Sequence, residues 1–320
     1  MIKDDLGNRM KENYENVAKH KLTRRMPVII RIDGCHFHTF TKGFKKPFDK
    51  IFAKSMQDTM KYLCENIQGC KLGYTQSDEI SLLLTDYETI ETSAWFDYKV
   101  EKLCSVSASM ATLAFNSAFA LNIAEMTDDE EEFKKYAKKL YTATFDSRCF
   151  NIPKEEVANY FYWRQLDAER NSVNSLGQSL FSQKELQGIG TWDLIDKILR
   201  EKEVDWFKLS TTQKRGSCCV KNVDYFLPDG QKVKDNDKVT YKDKTGTLSI
   251  VGDYARLTWL IPNIDHPEIS MLTSTGISIA LKKKSYWTID ENIPRFIDDG
   301  IDDGRLYIDK LIGVEQRWKC

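Results

Sequence analysis

The order of strand-like and helix-like segments in the first 150 residues constrains the fold more than any other feature of this sequence. Short apolar, β-branched or alternating runs indicate strands at residues 27–32, 70–75, 80–84 and 140–148. Longer segments with helical spacing of apolar residues separate them, at 48–67 and 94–123. The resulting order is βαββαβ, which is typical of the split βαβ, or ferredoxin-like, unit. The sequence therefore predicts an α+β fold.

The rest of the chain adds helices and then changes character. Helical patterns cover residues 3–20, 154–182 and 191–202, and "RGSCCVKN" indicates a further strand. Between 224 and 256 the turn signals "PDG" and "KTG" separate short β-rich runs. We therefore divide the chain into a split βαβ core at 1–150, a helical part at 151–222, and a β-rich insertion and C-terminal extension of unknown role at 223–320.

The predicted topology brings acidic residues together. In a split βαβ sheet the first and third strands are antiparallel neighbours, so the end of one meets the start of the other. Asp33 ends the first strand, and Asp78 and Glu79 open the third. Because side chains alternate along a strand, Glu79 should point to the opposite face from Asp78. We expect Asp33 and Asp78 to converge at one edge of the sheet.

Carboxylates held this close repel each other unless a cation lies between them. Mg²⁺ prefers oxygen ligands and retains several waters, so two carboxylates, a backbone carbonyl and substrate phosphates suit it. Gly34 has no Cβ and lets the backbone approach such an ion. Each motif alone is also typical of a polar turn. Together they favour a site that holds two Mg²⁺ ions and transfers nucleotidyl groups, of the polymerase-palm or the nucleotidyl-cyclase kind.

Composition limits the partners. The net charge is −1, from 47 basic and 48 acidic residues, so a nucleic-acid partner would need a local basic patch. We see no apolar run near the length of about 18 residues that a membrane helix needs, and expect no membrane association. The eight cysteines have no zinc-binding spacing and are typical of idle thiols in a reducing cytosol, which predicts a cytoplasmic protein.

Four stretches together resemble one family. They are "RIDGCHFHTFTKGFKKPFD" (31–49), "YTQSDEIS" (74–81), "FDSRCFNIP" (145–153) and "NYFYWRQLDAERNS" (159–172). Their order and spacing resemble the tRNA-His guanylyltransferase family over residues 5–222, closer to its bacterial and archaeal guanylyltransferase-like branch. The resemblance implies a polymerase-palm-like catalytic core. It also implies an enzyme that activates the 5′-phosphate of tRNA with ATP or GTP and then adds nucleotides in the 3′–5′ direction.

The resemblance also implies roles for individual residues. Asp33, Gly34 and Asp78 would bind two Mg²⁺ ions, and Asp33, Asp78 and Glu79 would form the catalytic set. The residues that would bind nucleotide are Asp33, Gly34, Cys35, His36, Phe37, His38, Lys46, Ser77, Asp78, Lys99 and Lys102. Lys46 matches a phosphate-binding lysine of the family. Lys99 and Lys102 match a basic pair that would hold the triphosphate of a second nucleotide.

The sequence departs from the family after "WRQLD". Eukaryotic members carry His-Ile-Asn-Asn there, whereas this chain has Glu169-Arg170-Asn171-Ser172. The departure favours template-directed repair of 5′-truncated tRNA over strict guanylate addition to tRNA-His. Candidate tRNA contacts are Arg164, Arg170, Asn171, Lys214 and Arg215, and the resemblance implies a homotetramer built as a dimer of dimers. A nucleotidyl cyclase and a non-catalytic RNA-binding protein remain the alternatives.

Overall fold

A computed structural model describes residues 4–127, 129–251, 253–262, 272–300 and 303–314. The chain forms two compact units, one comprising Met1–Val220 with Thr288–Cys320 and the other Lys221–Trp287. These two compact units do not coincide with the three predicted segments. The extension splits, because residues 288–320 return to the unit that contains the catalytic core. The functional division into three segments stays a prediction.

The strands and helices of the described chain are given in chain order. The strands are β1 (Val28–Gly34), β2 (Cys70–Gln76), β3 (Glu79–Leu84), β4 (Phe145–Asn151), β5 (Ser217–Phe226), β6 (Lys232–Val233), β7 (Lys238–Tyr241), β8 (Lys244–Val251), β9 (Tyr254–Pro262), β10 (Leu272–Ala280) and β11 (Lys282–Asp290). The helices are α1 (Asp5–Met10), α2 (Phe37–Phe40), α3 (Lys50–Asn66), α4 (Val100–Met126), α5 (Glu130–Ala137), α6 (Lys154–Leu180), α7 (Gln183–Leu186), α8 (Thr191–Lys202), α9 (Thr211–Arg215) and α10 (Leu306–Ile312).

The central sheet has the predicted split βαβ topology. Its strands follow the order β11-β5-β2-β3-β1-β4, and β1 lies antiparallel between β3 and β4. The antiparallel pairing of the first and third strands is therefore confirmed. In that pairing Val28 lies opposite Leu84 and Asp33 opposite Glu79, which sets the acidic residues at one end of both strands.

Two boundaries differ from the sequence prediction. The strand predicted at 140–148 begins only at Phe145, because Tyr141 has a left-handed φ of 60° and the Asn116 amide donates to the carbonyl of Ala143. The helix predicted at 3–20 is α-helical only over Asp5–Met10 and continues as a π-helical turn, Lys11–Glu15. None of these residues is buried, so no tertiary packing supports a longer helix.

The sheet is covered on both faces, which is why the apolar runs 28–30 of β1 and 82–84 of β3 are fully buried. On one face, β2 and β3 pack against α6 and α10 through Tyr74, Leu83, Phe161 and Ile308. α3 and α4 pack against each other, against β1 and β2, and α4 also against β4. Beside them the rings of Phe37, Phe40, Phe44, Phe52, Phe115 and Phe119 form a continuous aromatic cluster. This cluster anchors the loop that follows β1.

Helix α4 corrects one expectation from composition. In the part of the chain that the structure describes, it has the length and composition needed to cross a membrane, with a mean hydropathy of 1.3 over an 18-residue window. Core helices pass the same test, and α4 packs along α3 and β4 with Leu103, Ala111 and Phe115 buried. Whether the protein associates with a membrane is not decided by this helix, so the absence of association stays a prediction.

The second unit is β-rich, as the sequence predicts. Strands β7 to β10 form an antiparallel sheet in the order β10-β9-β8-β7. Lys242 and Asp243 both have positive φ and join β7 to β8 in a two-residue hairpin, which matches the twist of the strands. A separate apolar cluster, which includes Leu227, Leu248 and Leu257, forms the core of this unit.

Candidate active site

The acidic residues meet at the end of β1. Asp33 lies directly opposite Glu79 on β3 and directly opposite Asp146 on β4. The amide of Gly34 donates to the carbonyl of Asp78 at 3.1 Å, so the chain after β1 is bonded to the turn that precedes β3. The backbone positions of Asp33, Asp78 and Glu79 therefore come together at one end of the sheet, as the topology predicts.

Asp78 lies in a strained two-residue turn between β2 and β3. Gln76 pairs with Glu79 across the turn, and Ser77 has a φ of 50°, which is uncommon for a residue with a side chain. Burial raises the pKa of the Asp78 carboxyl, and the nearby negative charge of Asp33 raises it further. The fold thus holds two carboxylates in a position where a cation would relieve their repulsion.

Glu79 has a different environment from Asp78. Both of its carboxylate oxygens accept hydrogen bonds from the Arg164 guanidinium, at 2.7 and 2.6 Å, and both side chains are buried. Burial raises the pKa of Glu79, while the bonds to Arg164 oppose the rise. Glu79 therefore forms a bidentate ion pair with Arg164 that fixes α6 on the sheet. The catalytic role of Glu79 stays a prediction, in which the residue would act while paired with Arg164.

Sequence reasoning missed Asp146 and Arg148 on β4. Nη2 of Arg148 lies 3.0 Å from Oδ1 of Asp146 and 3.9 Å from Oδ2 of Asp33. The signal was present, because both residues belong to the "FDSR" stretch of a predicted strand. That strand pairs antiparallel with β1, and the register sets Asp146 opposite Asp33.

Gly34 and His36 shape the turn after β1. A Cβ at Gly34 would lie 2.3 Å from Cδ2 of the Phe37 ring, so any larger residue would displace that ring. His36 adopts a left-handed φ of 57° and precedes α2. The backbone amide of Cys35 donates to the carbonyl of Thr144 at 2.9 Å. These contacts fold the predicted nucleotide-binding segment tightly across the end of the sheet.

A cavity of about 360 Å³ adjoins Asp78, a size within the usual range for ligand pockets. Its lining includes five of the predicted nucleotide-binding residues, Phe37, His38, Lys46, Ser77 and Asp78. Phe37 is buried in the aromatic cluster, while His38 and Lys46 are exposed. The structure therefore brings the predicted phosphate-binding lysine to the same cavity as the acidic turn.

Lys99 and Lys102 lie elsewhere. The backbone of Lys99 forms an isolated antiparallel β-bridge with that of Lys21. Two residues further on, the Thr23 amide donates to the side chain of Asn151, which is the β4 partner of Val28. Val28 and Asp33 mark opposite ends of β1. Within one chain the structure does not bring this basic pair to the carboxylates, so its predicted role for a second triphosphate stays a prediction.

The predicted tRNA contacts separate into two groups. Arg164 is buried and engaged by Glu79 and Asp167, so the structure gives it a positioning role in place of the predicted RNA contact. Asn171 and Lys214 line a second cavity of about 180 Å³, which shares Ser77 with the first. Arg170, Lys214 and Arg215 line a third cavity of about 450 Å³.

The donor set suits Mg²⁺ better than a softer metal. Within the described ranges there is no cluster of three or more histidine, cysteine or acidic side chains that could hold a metal by themselves. Two carboxylates and the Gly34 carbonyl supply only oxygen and leave positions for water and phosphate, as Mg²⁺ sites commonly do. Fold and site together define a class, a palm-like α+β transferase core.

Comparisons with known proteins identify the family. The family model described as Thg1, tRNAHis guanylyltransferase, matches residues 7–153. The solved structure of a bacterial tRNA(His) guanylyltransferase (Thg1)-like protein in complex with ATP is 36% identical, with a TM-score of 0.68, over 96% of this chain and 99% of that chain. A corresponding complex with GTP is 34% identical, with a TM-score of 0.63, over 97% and 99% of the two chains.

A curated relative agrees. The tRNA(His) guanylyltransferase of Debaryomyces hansenii is 25% identical over 258 residues, covering 73% of this chain and 91% of its own. The chain belongs to the tRNA(His) guanylyltransferase (Thg1) family of transferases, on the side of the bacterial Thg1-like proteins. Since the bacterial match covers nearly the whole chain, most of the region after residue 222 also has a counterpart there.

Proposed function

We propose that this protein adds nucleotides to the 5′ end of tRNA in the 3′–5′ direction, after ATP or GTP activates the 5′-phosphate. Guanylate addition to tRNA is the activity named for its relatives, and bacterial relatives have been solved with ATP and with GTP. We extend this to template-directed addition on 5′-truncated tRNA, because positions 169–172 lack the His-Ile-Asn-Asn of the eukaryotic enzymes.

One observation carries the proposal. The turn that bears Asp78 accepts a hydrogen bond from the Gly34 amide beside Asp33, and the same turn borders a cavity that also presents Lys46. Such a site can bind the oxygens of a triphosphate while two carboxylates lie beside the phosphate that reacts. A nucleotidyl cyclase would share this site, but it has no use for the "WRQLDAERN" stretch on α6.

Each residue has a defined task in this proposal. Asp33, Asp78 and the Gly34 carbonyl would hold two Mg²⁺ ions, which supply positive charge to the phosphoryl oxygens and acidify an attacking 3′-hydroxyl. Lys46 would bind the triphosphate as a point charge, and the Ser77 hydroxyl would donate to it. Arg148 would keep the Asp33 carboxylate oriented from 3.9 Å away.

Assembly and location are part of the proposal. We propose a homotetramer in which α4 contributes to a contact, since Leu113 and Leu121 are 64% and 63% exposed on an otherwise packed helix. A neighbouring subunit could then supply Lys99 and Lys102 to the active site. The free thiols of the described cysteines suit a cytoplasmic protein.

The test is nucleotide incorporation into tRNA. Wild-type protein, Mg²⁺ and labelled nucleotide are incubated with intact and with 5′-truncated tRNA, and the template base opposite the vacant position is varied. We expect incorporation that follows Watson–Crick pairing and that Asp78→Asn abolishes. Asp253→Asn, which alters an exposed ion pair in the second unit, is the matched control. Absence of incorporation into any tRNA, or full activity of Asp78→Asn, would refute the proposal.

A further inference from the structure

The third cavity combines exposed aromatic rings with basic side chains. We call its functional lining the aromatic–basic pocket, and it consists of Arg170, Trp192, Phe207, Lys214, Arg215 and Arg295. All six belong to the first compact unit. Trp192 is 73% exposed and Phe207 56% exposed, which is unusual for side chains of this size.

These two rings are not part of the neighbouring core. On α8 the core-facing residues are Leu194, Ile195 and Ile198, which are buried against α6. Trp206 is also buried, with its indole nitrogen donating to the Ser172 hydroxyl at 3.0 Å. Packing therefore accounts for Trp206 but not for the exposure of Trp192 and Phe207. Their rings are available for a partner to stack on.

The pocket has an excess of positive charge. Its lining carries four cations and one acid, Glu169, whose two oxygens lie 2.7 Å from Arg295 and 3.7 Å from Arg215. Arg170 also pairs with Asp167, which lies outside the lining, so the excess positive charge is on Lys214 and the two other arginines. Nε of Arg215 is buried without a hydrogen-bond partner in the described chain. Burial lowers the pKa of both Lys214 and Arg215, and the nearby charge of Glu169 opposes the fall. A bound anion would oppose it further.

The pocket is linked to the catalytic end of the molecule by cavities that share lining residues. Lys214 lines both the aromatic–basic pocket and the cavity that contains Asn171. That cavity in turn shares Ser77 with the cavity beside Asp78. Asn171 and Lys214 therefore lie between the cavity beside Asp78 and the pocket that contains Trp192.

We propose that the aromatic–basic pocket binds an unpaired nucleotide of the tRNA substrate, with its base on Trp192 and Phe207 and its phosphate on Lys214 and Arg215. Exposed rings interleaved with cations are the means by which proteins bind unpaired nucleotides, since every base has a face to stack. The proposal rests on the proposed function, because it assigns part of the same tRNA substrate. It adds a contact that lies away from the carboxylates.

The test separates tRNA binding from chemistry. Incorporation kinetics are measured on full-length Trp192→Ala and Trp192→Phe. Stacking losses of about 1–3 kcal/mol per base correspond to a roughly 5- to 150-fold rise in the KM for tRNA. We expect this rise for Trp192→Ala, recovery in Trp192→Phe, and an unchanged kcat and KM for the nucleotide triphosphate. Because the ring is exposed, the melting temperature should not move.

A charge pair supplies the matched control. Arg170 and Arg200 have side chains that are 62% and 68% exposed, and each pairs with an aspartate on its own helix, but only Arg170 lines the pocket. Arg170→Gln should lower the slope of log Kd against log salt by about 0.7–0.9, and Arg200→Gln should leave it unchanged.

The outcomes distinguish the two proposals. If wild-type protein incorporates no nucleotide, the proposed function fails and takes this inference with it. If the wild type is active and Trp192→Ala has an unchanged KM for tRNA, the inference alone is overturned. Equal salt slopes for Arg170→Gln and Arg200→Gln overturn it as well.

Discussion

Replacing Arg164 with methionine tests how the catalytic end of the sheet is held. The change removes both hydrogen bonds to Glu79 and leaves that carboxylate buried without its partner. Breaking a buried ion pair in this way costs about 3–5 kcal/mol of the free energy of unfolding. For a unit of this size the cost corresponds to a fall of roughly 6–20 °C in the melting temperature.

The pH dependence of this loss follows from Glu79. Burial already raises the pKa of Glu79 above its ordinary value, and Arg164 opposes the rise, so removing Arg164 raises the pKa further. When folding raises the pKa of a carboxyl group, the folded state is favoured at pH values below the pKa of the unfolded state. This contribution to stability is lost as the pH rises through the pKa of the folded state. The variant should therefore be most destabilised at neutral pH and approach the wild type in acid. Calorimetry from pH 4 to 8 with a chelator present measures this.

Two further variants make the reasoning refutable. Glu79→Leu combined with Arg164→Met removes the orphaned charge, and the Ser81 hydroxyl keeps its 2.8 Å bond to Tyr160, so most of the lost stability should return. Arg148→Met breaks an exposed pair with Asp146 and should cost no more than about 1 kcal/mol. If the double variant is no more stable than Arg164→Met, or if Arg148→Met costs as much, the ion pair does not hold the sheet edge.

Three other predictions concern the site and the second unit. Gly34→Ala forces its Cβ to within 2.3 Å of the Phe37 ring. Chemical denaturation should show a loss of about 1–3 kcal/mol in the free energy of unfolding, and nucleotide incorporation should fall as well. Asp78→Asn should raise the melting temperature measured in a chelator, because burial and Asp33 both disfavour the Asp78 charge, and it should abolish nucleotide incorporation measured in Mg²⁺. Leu248→Ala should cost the second unit about 2–5 kcal/mol, detected by hydrogen exchange confined to residues 221–287, because Leu248 is fully buried in that unit's own core.

Much of the fold could be predicted because its signals are local. The strands around Ile30 and Leu83 are apolar on both faces, and α3 has helical apolar spacing, so their order gives the sheet topology. The start of β4 could not be predicted, because residues 140–144 alternate like a strand. It is the Asn116 side chain, from a distant helix, that binds the backbone of Ala143 and excludes it from the sheet.

The site was predicted only where topology decides it. Asp33 and Asp78 converge because antiparallel neighbours must bring those ends together. Glu79 looks equivalent to Asp78 in the sequence, but its environment depends on Arg164, which is 85 residues away. The same limit applies to Lys99 and Lys102, which share a motif spacing with the family yet lie at the opposite end of β1 within one chain.

Helix α6 connects these observations. Arg164, Asp167 and Arg170 follow one another at three-residue spacing along one helix, and Asp167 accepts from both arginines. At the buried end of this row of side chains Arg164 binds Glu79, and at its exposed end Arg170 lines the aromatic–basic pocket. The departure from the eukaryotic sequence begins at residue 169, on the pocket side of Asp167. In the proposed function, substitutions there would alter RNA binding without disturbing the carboxylates, because Arg164 fixes the helix to the sheet independently of residue 169 and its successors.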